Sequence, residues 1–395
     1  MTAKPPLDGI RVVALEHAIA APLCTRQLAE LGATVVKIER RETGDFARAY
    51  DQRVKGQCSH FVWTNRGKQS LSLDLKHPLA TEVLARLLKD CDVLVQNLAP
   101  GATAKLGLDY VALKTEYPRL IVCDISGYGS KGPYKDRKAY DLLVQSEAGF
   151  LSVTGTADQP AKAGISIADI AAAMQAFSAI LAALIQRGKT GRGSHIEISL
   201  LESMVEWMGY PLYYAYDGNP PPLRSGTDHA SIYPYGTFSA GTDQQIMLGL
   251  QNKREWMDFC RIVLGQPRLA TDSRFATNVL RTEARETLKA IIEDVFRHIS
   301  IQELQQRLES ARIAYARVNT MAEVWAHPQL EALRRRVAIN TPAGKVDAFL
   351  PPGNNDSYPL LMGDVPGLGE HNRQVLQDAG YSADEIEQFS ADKLI

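Results

Sequence analysis

The stretch that decides the fold runs from residue 10 to residue 38 and reads IRVVALEHAIAAPLCTRQLAELGATVVKI. Residues 10–15 and 34–38 are short, apolar runs rich in β-branched residues, which are typical of buried strands. Between them, residues 22–31 have the apolar spacing of a helix, and Gly32 stands where helices commonly end in the left-handed conformation. The pattern predicts a strand–helix–strand unit with parallel strands.

The same alternation continues to residue 125. Further strands are predicted at residues 70–75, 92–96 and 120–125, and further helices at 80–89 and 110–115. Short apolar runs separated by helical ones predict an α/β domain with a parallel, Rossmann-like sheet.

The turn after the first predicted strand argues against a nicotinamide cofactor. Residues 16–22 read EHAIAAP and contain no Gly-x-Gly-x-x-Gly. Without those glycines the backbone does not approach a pyrophosphate in the usual dinucleotide manner.

Composition excludes some partners. The chain has 395 residues, 45% of them apolar, and a formal net charge of −1. A nucleic-acid-binding domain normally carries a clear basic excess, so no nucleic-acid partner is expected. No apolar run follows a basic start, which predicts no signal peptide. Residues 170–185 are apolar but interrupted by polar side chains, so we expect a buried helix there and no membrane contact.

The five cysteines are scattered and form no Cys-x-x-Cys pair, and no two histidines have His-x-x-x-His spacing. This pattern predicts neither a disulfide framework nor a metal site, and it fits a reducing, cytoplasmic location.

Three consecutive prolines, Pro220, Pro221 and Pro222, mark an exit from the first domain. We predict a large domain from residues 1–210 and 325–395. A smaller α+β domain is predicted at 225–324, joined by a linker at 211–224.

Asp169 is the strongest candidate for a chemical role. It directly precedes residues 170–174, which read IAAAM and form helices readily. The plain interpretation is an N-cap, since aspartate accepts hydrogen bonds from the first free amides of a helix. A nucleophilic role is compatible with this position, because the positive end of a helix is expected to lower the pKa of the carboxyl group and keep it ionised.

Short motifs of one kind recur in order along nearly the whole chain. They read PLDGIRVV (6–13), PLCT (22–25), LGATVVKIE (31–39), NRGK (65–68), LDLK (73–76), QNLAPG (96–101), SGYG (126–129), TGRG (190–193) and LGEH (368–371). In this order and spacing the chain resembles the class III CoA-transferase family, the CaiB/BaiF type. That family includes formyl-CoA transferase and, as a relative, α-methylacyl-CoA racemase.

The resemblance implies an enzyme of acyl-CoA metabolism in which Asp169 attacks a donor thioester and carries CoA as an aspartyl thioester. It implies a coenzyme A thioester as substrate and no prosthetic group. It also implies that the large domain binds CoA and that two chains form an interlocked homodimer.

By motif position, the resemblance places eight further residues along coenzyme A. They are Arg40, Leu73, Lys76, Asn97, Leu98, Lys105, Lys138 and Tyr140. Without the motif context, the charged members would be interpreted as solvated surface residues.

Tyr140 bears on the type of reaction. Racemase relatives place a catalytic histidine at this position, and a tyrosine with an ordinary pKa of about 10 is a poor base at neutral pH. We therefore expect a CoA-transferase, with a racemase or epimerase as the alternative and a catalytically silent acyl-CoA-binding protein as a third possibility.

Substrate identity is predicted only in outline. Ile19 stands where formyl-CoA transferase-like members carry glutamine, so oxalate and formate specificity is unsupported. Succinyl-CoA is the candidate donor and a small dicarboxylate the candidate acceptor. Arg224 or His229 is a candidate partner for the second carboxylate, although a solvated loop is an equally good interpretation of both.

Overall fold

The computed structural model describes residues 4–241 and 244–395. Contacts group the chain into two compact units. The first runs up to Ala148 and includes Ala163–Gly209 and Leu330–Ile395, and the second comprises Gly149–Lys162 and Tyr210–Gln329. Residues 149–162, assigned to the large domain from the sequence, and residues 211–224, assigned to a linker, both group with the second unit.

The first unit is built on a parallel sheet. Its strands are β1 (Arg11–Leu15), β2 (Thr34–Glu39), β3 (Lys68–Ser72), β4 (Val93–Gln96), β5 (Ile121–Ser126) and β6 (His195–Ser199). Their order is β3-β2-β1-β4-β5-β6, and every neighbouring pair is parallel. This is the Rossmann order, with its topological switch point between β1 and β4. The predicted α/β class and parallel sheet are confirmed.

The helices up to the end of the sheet follow the predicted alternation. They are α1 (Ala20–Glu30), α2 (Ser59–Asn65), α3 (Ala80–Lys89), α4 (Ala102–Lys105), α5 (Tyr110–Glu116), α6 (Asp141–Glu147), α7 (Phe150–Val153), α8 (Ile167–Thr190) and α9 (Leu200–Trp207). Of these helices, only α1, α3, α5 and part of α8 had ranges predicted from the sequence, and strand β6 was not predicted. The third strand was predicted at 70–75, whereas β3 ends at Ser72, so residues 73–76 form a loop at the carboxyl end of the sheet.

Helix α8 differs from the buried helix expected from the sequence. Its close-packed face is made of small residues, among them Ala171, Ala172 and Ala176, and this face packs against α1. Only a third of its most apolar segment is buried, and Ile185 is 63% exposed. By length and composition the helix could cross a membrane, but core helices of soluble proteins meet the same criterion.

The second unit has its own sheet and core. Helix α10 (Gly209–Tyr214) leads into it. Antiparallel strands β7 (Tyr235–Ala240), β8 (Gln244–Gly249) and β9 (Ala314–Arg317) form its sheet. The later helices are α11 (Lys253–Asp258), α12 (Asn278–Glu283), α13 (Arg285–Arg297), α14 (Ile301–Ser310), α15 (Met321–Trp325) and α16 (Pro328–Ala332). Buried aromatic residues, including Trp256, Phe259 and Phe296, form the centre of its core.

The C-terminal segment returns to the first unit. It contains the hairpin of β10 (Arg336–Ile339) and β11 (Val346–Phe349), then α17 (Asn372–Asp378) and α18 (Ala383–Ala391). The His371 ring accepts a hydrogen bond from the Ser70 amide at 3.2 Å, and the Asn372 side chain accepts one from the Ser72 amide at 2.8 Å. These contacts satisfy donors of the edge strand β3, which would otherwise be free to pair with another chain.

Candidate active site

One large cavity lies in the first unit at the carboxyl ends of its strands, where ligands of open α/β sheets bind. Its volume is about 1320 Å³. Its wall is formed by the loops that follow five of the parallel strands, namely residues 17–19, 40–43, 73–76, 97–100 and 126–128. This volume exceeds the range of roughly 300–1,000 Å³ that is usual for drug-sized ligands, and so it suits a long ligand.

The cavity wall contains the candidate nucleophile and all eight residues predicted to lie along coenzyme A. These are Arg40, Leu73, Lys76, Asn97, Leu98, Lys105, Lys138, Tyr140 and Asp169. They come from six different segments of the chain, which the fold brings to one edge of the sheet. The roles assigned to them individually stay predictions.

Arg224 and His229 lie in the second unit. The Arg224 guanidinium donates hydrogen bonds to the carbonyl oxygens of Thr156 and Ala157, at 2.9 and 2.7 Å. The His229 ring stacks on Tyr235, with ring centroids 5.2 Å apart. Both side chains therefore have local structural contacts, and their predicted part in acceptor binding stays a prediction.

The loop after β1 is held in place by side chains around it. Asn97 accepts a hydrogen bond from the His17 amide at 3.0 Å and donates one to the His17 carbonyl at 2.9 Å. Asp45 accepts one from the Ala18 amide at 3.1 Å. Ala18 has a φ of 64°, a left-handed conformation that is uncommon outside glycine. The Asn97 side-chain amide is thus engaged in positioning the cavity wall.

Four buried charges lie beneath this loop. Lys37 contacts Asp45 at 2.8 Å and Glu16 at 3.4 Å, and Lys68 contacts Glu16 at 2.6 Å. Burial alone would raise the pKa of Glu16, but Lys68 and Lys37 together hold that pKa below its ordinary value. Two carboxylates balance two ammonium groups, so the network avoids an unpaired buried charge. The network therefore supports the loop after β1 with buried ion pairs.

Asp169 lies in the first turn of α8 and is not its N-cap. The helix begins at Ile167 with Ser166 at the cap position. The free amides of Ala168 and Asp169 donate instead to the Asp141 carboxylate, at 2.7 and 3.2 Å. Asp141 comes from α6, so the aspartate that satisfies the helix start is not the candidate nucleophile. The N-cap interpretation was wrong because the helix starts three residues earlier than the sequence suggested, at Ile167 instead of residue 170.

Asp141 is itself held firmly. Gln145, a buried residue of α6, donates a hydrogen bond to Asp141 at 2.7 Å and accepts one from the Ala163 amide at 3.0 Å. This arrangement fixes the start of α6 against the segment that leads into α8. The carboxylates of Asp141 and Asp169 are therefore held in the same stretch of cavity wall.

The pKa of Asp169 is raised to about 7, first because burial disfavours its charged form and second because Asp141 carries a like charge. The positive end of the helix had predicted the opposite shift, a lowered pKa. That expectation failed first because burial disfavours the charged carboxylate, and second because Asp141 accepts the hydrogen bonds of the helix amides and places its own negative charge there. At pH 7 Asp169 is divided about equally between carboxylate and acid.

Several cavity residues were not found from the sequence. They are His17, Arg41, Tyr50, His60, Lys135, Arg137 and Lys393. Ligands of parallel sheets bind in the crevice beyond the carboxyl ends of the strands. This rule would have pointed to His17, which lies two residues after the end of β1. Lys393 comes from the far end of the chain, and no local signal points to it. Burial and, secondarily, the charges of Asp45 and Asp169 raise the pKa of Tyr50 to about 12, so its hydroxyl stays a hydrogen-bond donor.

Residues 7–372 match the sequence profile of the family described as CoA-transferase family III. The chain belongs to CoA-transferase family III. It is an enzyme of this class, whose members act on CoA thioesters, and the resemblance found in the sequence is confirmed.

Three relatives of this family III enzyme illustrate the match. It is 35% identical over 392 residues to a succinate–glutarate CoA-transferase from Agrobacterium fabrum, covering 95% of this chain and 96% of that one. It is 31% identical to the human succinyl-CoA:glutarate CoA-transferase, covering 94% and 86%. The crystal structure of a CaiB/BaiF family protein from Brucella suis superposes with a TM-score of 0.85 at 32% identity, covering 95% of this chain and 100% of that one.

Proposed function

We propose that this enzyme transfers coenzyme A from succinyl-CoA to a small dicarboxylic acid, with the Asp169 carboxylate as nucleophile. The observation that carries the proposal is that Asp169 shares one cavity with all the residues predicted to line coenzyme A. Two relatives named for succinate or succinyl-CoA together with glutarate support the substrate class.

The reaction divides into four acyl transfers. Asp169 attacks the carbonyl carbon of the donor thioester, and the CoA thiolate leaves as a mixed anhydride forms. The thiolate then attacks the Asp169 carbonyl, which releases the donor acid and leaves an aspartyl-CoA thioester. The acceptor carboxylate attacks this thioester, giving a second mixed anhydride and thiolate. Attack of the thiolate on the acceptor acyl carbon yields the new CoA ester and restores Asp169. No proton is gained or lost overall.

The position of Asp169 supports this role. Its raised pKa makes the ionised carboxylate more basic, and hence a better nucleophile, than a solvated aspartate. Partial burial also keeps water from the covalent intermediates, which would otherwise hydrolyse. The cost is that a larger fraction of the enzyme holds Asp169 in its protonated, inactive form.

The charge of the cavity wall supports an anionic ligand. Eight of its side chains are lysines or arginines, and four are aspartates or glutamates. Coenzyme A brings a 3′-phosphate and a diphosphate, and a dicarboxylate acceptor brings two further charges. We assign Lys76 and Lys105 to phosphate contacts.

A homodimer is also part of the proposal. The apolar side chains left exposed on α8 and α9 of the first unit include Ile185 and Trp207, which are 63% and 46% exposed. A second chain would bury this surface, which is costly to leave in water. A monomer by light scattering at micromolar concentration, without detergent, would contradict this assignment. A cytoplasmic location stays a prediction from the cysteine pattern.

The function is tested with succinyl-CoA and a panel of acids, including glutarate, oxalate and a monocarboxylic control. We expect CoA ester exchange, seen by mass spectrometry, with glutarate-sized dicarboxylates and none with Asp169→Asn. Loss of α-deuterium from a 2-methylacyl-CoA without ester exchange would instead establish the racemase alternative. Binding of acyl-CoA with neither reaction would leave a binding protein.

A further inference from the structure

Beside the cavity, three side chains with metal-binding atoms lie close together. Asp51, Cys58 and His60 each offer one such atom, and the three atoms lie within 4.8 Å of one another. Cys58 Sγ is 3.5 Å from Asp51 Oδ2 and 4.0 Å from His60 Nδ1, and the remaining distance, from His60 Nδ1 to Asp51 Oδ2, is 3.6 Å. The proposed CoA-transfer reaction uses none of these residues.

A tight hairpin brings the cluster together. Val54 and Gln57 exchange backbone hydrogen bonds of 3.0 and 2.9 Å. The two residues between them, Lys55 and Gly56, have φ values of 52° and 82°, as a two-residue hairpin loop of type I′ requires. Lys55 and Gln57 also hydrogen-bond to the loop at residues 341–345. These hydrogen bonds fix the chain reversal, which places Asp51 beside the start of α2.

The Asp51 carboxylate is oriented by hydrogen-bond donors that would stay in place if a metal ion bound to it. It accepts hydrogen bonds from the Ser59 amide at 3.0 Å, the Ser59 hydroxyl at 2.6 Å and the Arg53 amide at 3.0 Å. The Cys58 thiol also donates to Oδ2. A metal ion would replace that thiol proton while the Ser59 and Arg53 contacts remain. Such supporting hydrogen bonds are typical around metal ligands.

The three distances are close to those of a zinc site. Tetrahedral Zn²⁺ with a sulfur at about 2.3 Å and nitrogen and oxygen at about 2.0–2.2 Å separates its ligand atoms by about 3.3–3.7 Å. Two of the observed distances lie in this range, and the third, between Cys58 Sγ and His60 Nδ1, exceeds it by about 0.3 Å. A small rotation of the half-exposed His60 ring would close that gap.

We propose that Asp51, Cys58 and His60 bind a thiophilic divalent cation of the Zn²⁺ class at the rim of the cavity. Thiolate, imidazole and carboxylate are all zinc ligands, and three protein ligands leave a fourth position open. His60 and its neighbour Tyr50 belong to the cavity wall, so that position is accessible from the cavity. Mg²⁺ prefers oxygen ligands and is not expected to bind. The spacing rules that predicted no metal site missed this cluster because a hairpin, not a sequence motif, assembles it.

The test uses the tag-free, chelator-treated full chain titrated with Co²⁺. We expect one equivalent to bind with a thiolate-to-cobalt charge-transfer band, and Zn²⁺ but not Mg²⁺ to abolish that band. Cys58→Ser and His60→Asn should lose it. Cys91→Ser is the matched control and should keep it, because burial raises the pKa of the Cys91 thiol to about 12. A Ser59→Ala enzyme should bind Co²⁺ about 10–100-fold more weakly, since Ser59 orients Asp51.

The absence of a charge-transfer band in the folded wild-type enzyme would overturn the proposal, as would a band that survives both Cys58→Ser and His60→Asn. His60→Asn keeps the Asp51 and Cys58 contacts at the start of α2, so a folding defect is not expected there. The measurement is independent of CoA transfer, because Asp169→Asn should bind Co²⁺ as the wild type does.

Discussion

Replacing Asp141 with asparagine should shift the pH dependence of the rate at which CoA becomes covalently bound to Asp169. Asp141 raises the pKa of Asp169 as the second cause after burial, within a rise from 3.8 to about 7. As the smaller of two contributions, its charge accounts for no more than half of that rise. Removing the charge should therefore shift the acid limb of the pH profile downward by about one pH unit.

The magnitude follows from the ionised fraction of Asp169. With a pKa of about 7, roughly one tenth of the wild-type enzyme holds the carboxylate at pH 6. A limb one unit lower would make that fraction about one half, so adduct formation at pH 6 should rise about fivefold. Above pH 8 at least about nine tenths of Asp169 is ionised in both enzymes, and the variant should be equal or slower because a weaker base is a weaker nucleophile.

The assay is a single-turnover reaction with succinyl-CoA, quenched at intervals and followed by intact mass for CoA bound to the protein. Asparagine at position 141 keeps an oxygen that can accept from the Ala168 and Asp169 amides, so α8 should still begin at the same residue. Asp109→Asn is the matched control: Asp109 caps α5 through the Ala112 amide and lies outside the cavity wall. Its profile should not move. A folded Asp141→Asn enzyme whose limb stays in place, or moves to higher pH, would refute the reasoning.

Three other outcomes are expected. Asp169→Asn should abolish exchange and hydroxylamine trapping. It should also stabilise the protein by about 1–3 kcal/mol at pH 8 but not at pH 4 in urea unfolding, because a raised carboxyl pKa in the folded state makes stability fall as pH rises toward about 7. Equal stability at both pH values would contradict that pKa. Lys76→Ala or Lys105→Ala should raise the KM for succinyl-CoA about tenfold or more while the KM for the acid stays constant, with Lys89→Ala on the same unit as an unaffected control. An effect on both substrates would remove that lysine from the phosphate contacts. Glu16→Gln should lower the free energy of unfolding by about 3–5 kcal/mol at pH 7, because it leaves Lys37 and Lys68 without half of their buried partners. A loss below 1 kcal/mol would mean that water reaches this network.

The sequence alone was sufficient to predict the α/β class and the first strand–helix–strand unit of the sheet. Strand and helix periodicity predicted the unit of residues 10–38 almost to its ends, and Gly32, with a φ of 101°, follows the first helix as predicted. Such features depend on neighbours three or four residues away, so local pattern determines them. The ordered motifs also identified the family, and with it the residues of one cavity. Strand β6 lacks the continuous apolar run by which the other strands were predicted, because exposed and partly buried positions alternate along it, as is typical of a half-buried edge strand.

Only the tertiary structure decided the pKa of Asp169 and which side chains lie close together beside the cavity. The aspartate that satisfies the start of α8 comes from α6, and its charge, together with burial, raises the pKa of Asp169 where the sequence predicted a fall. The zinc-type cluster depends on a hairpin that returns Asp51 to Cys58 and His60. A pKa and a ligand set depend on distances of a few ångströms between groups far apart in sequence. Those distances exist only once the chain has packed, which is why periodicity and motifs placed Asp169 among the residues of the cavity but gave the wrong sign for the shift of its pKa.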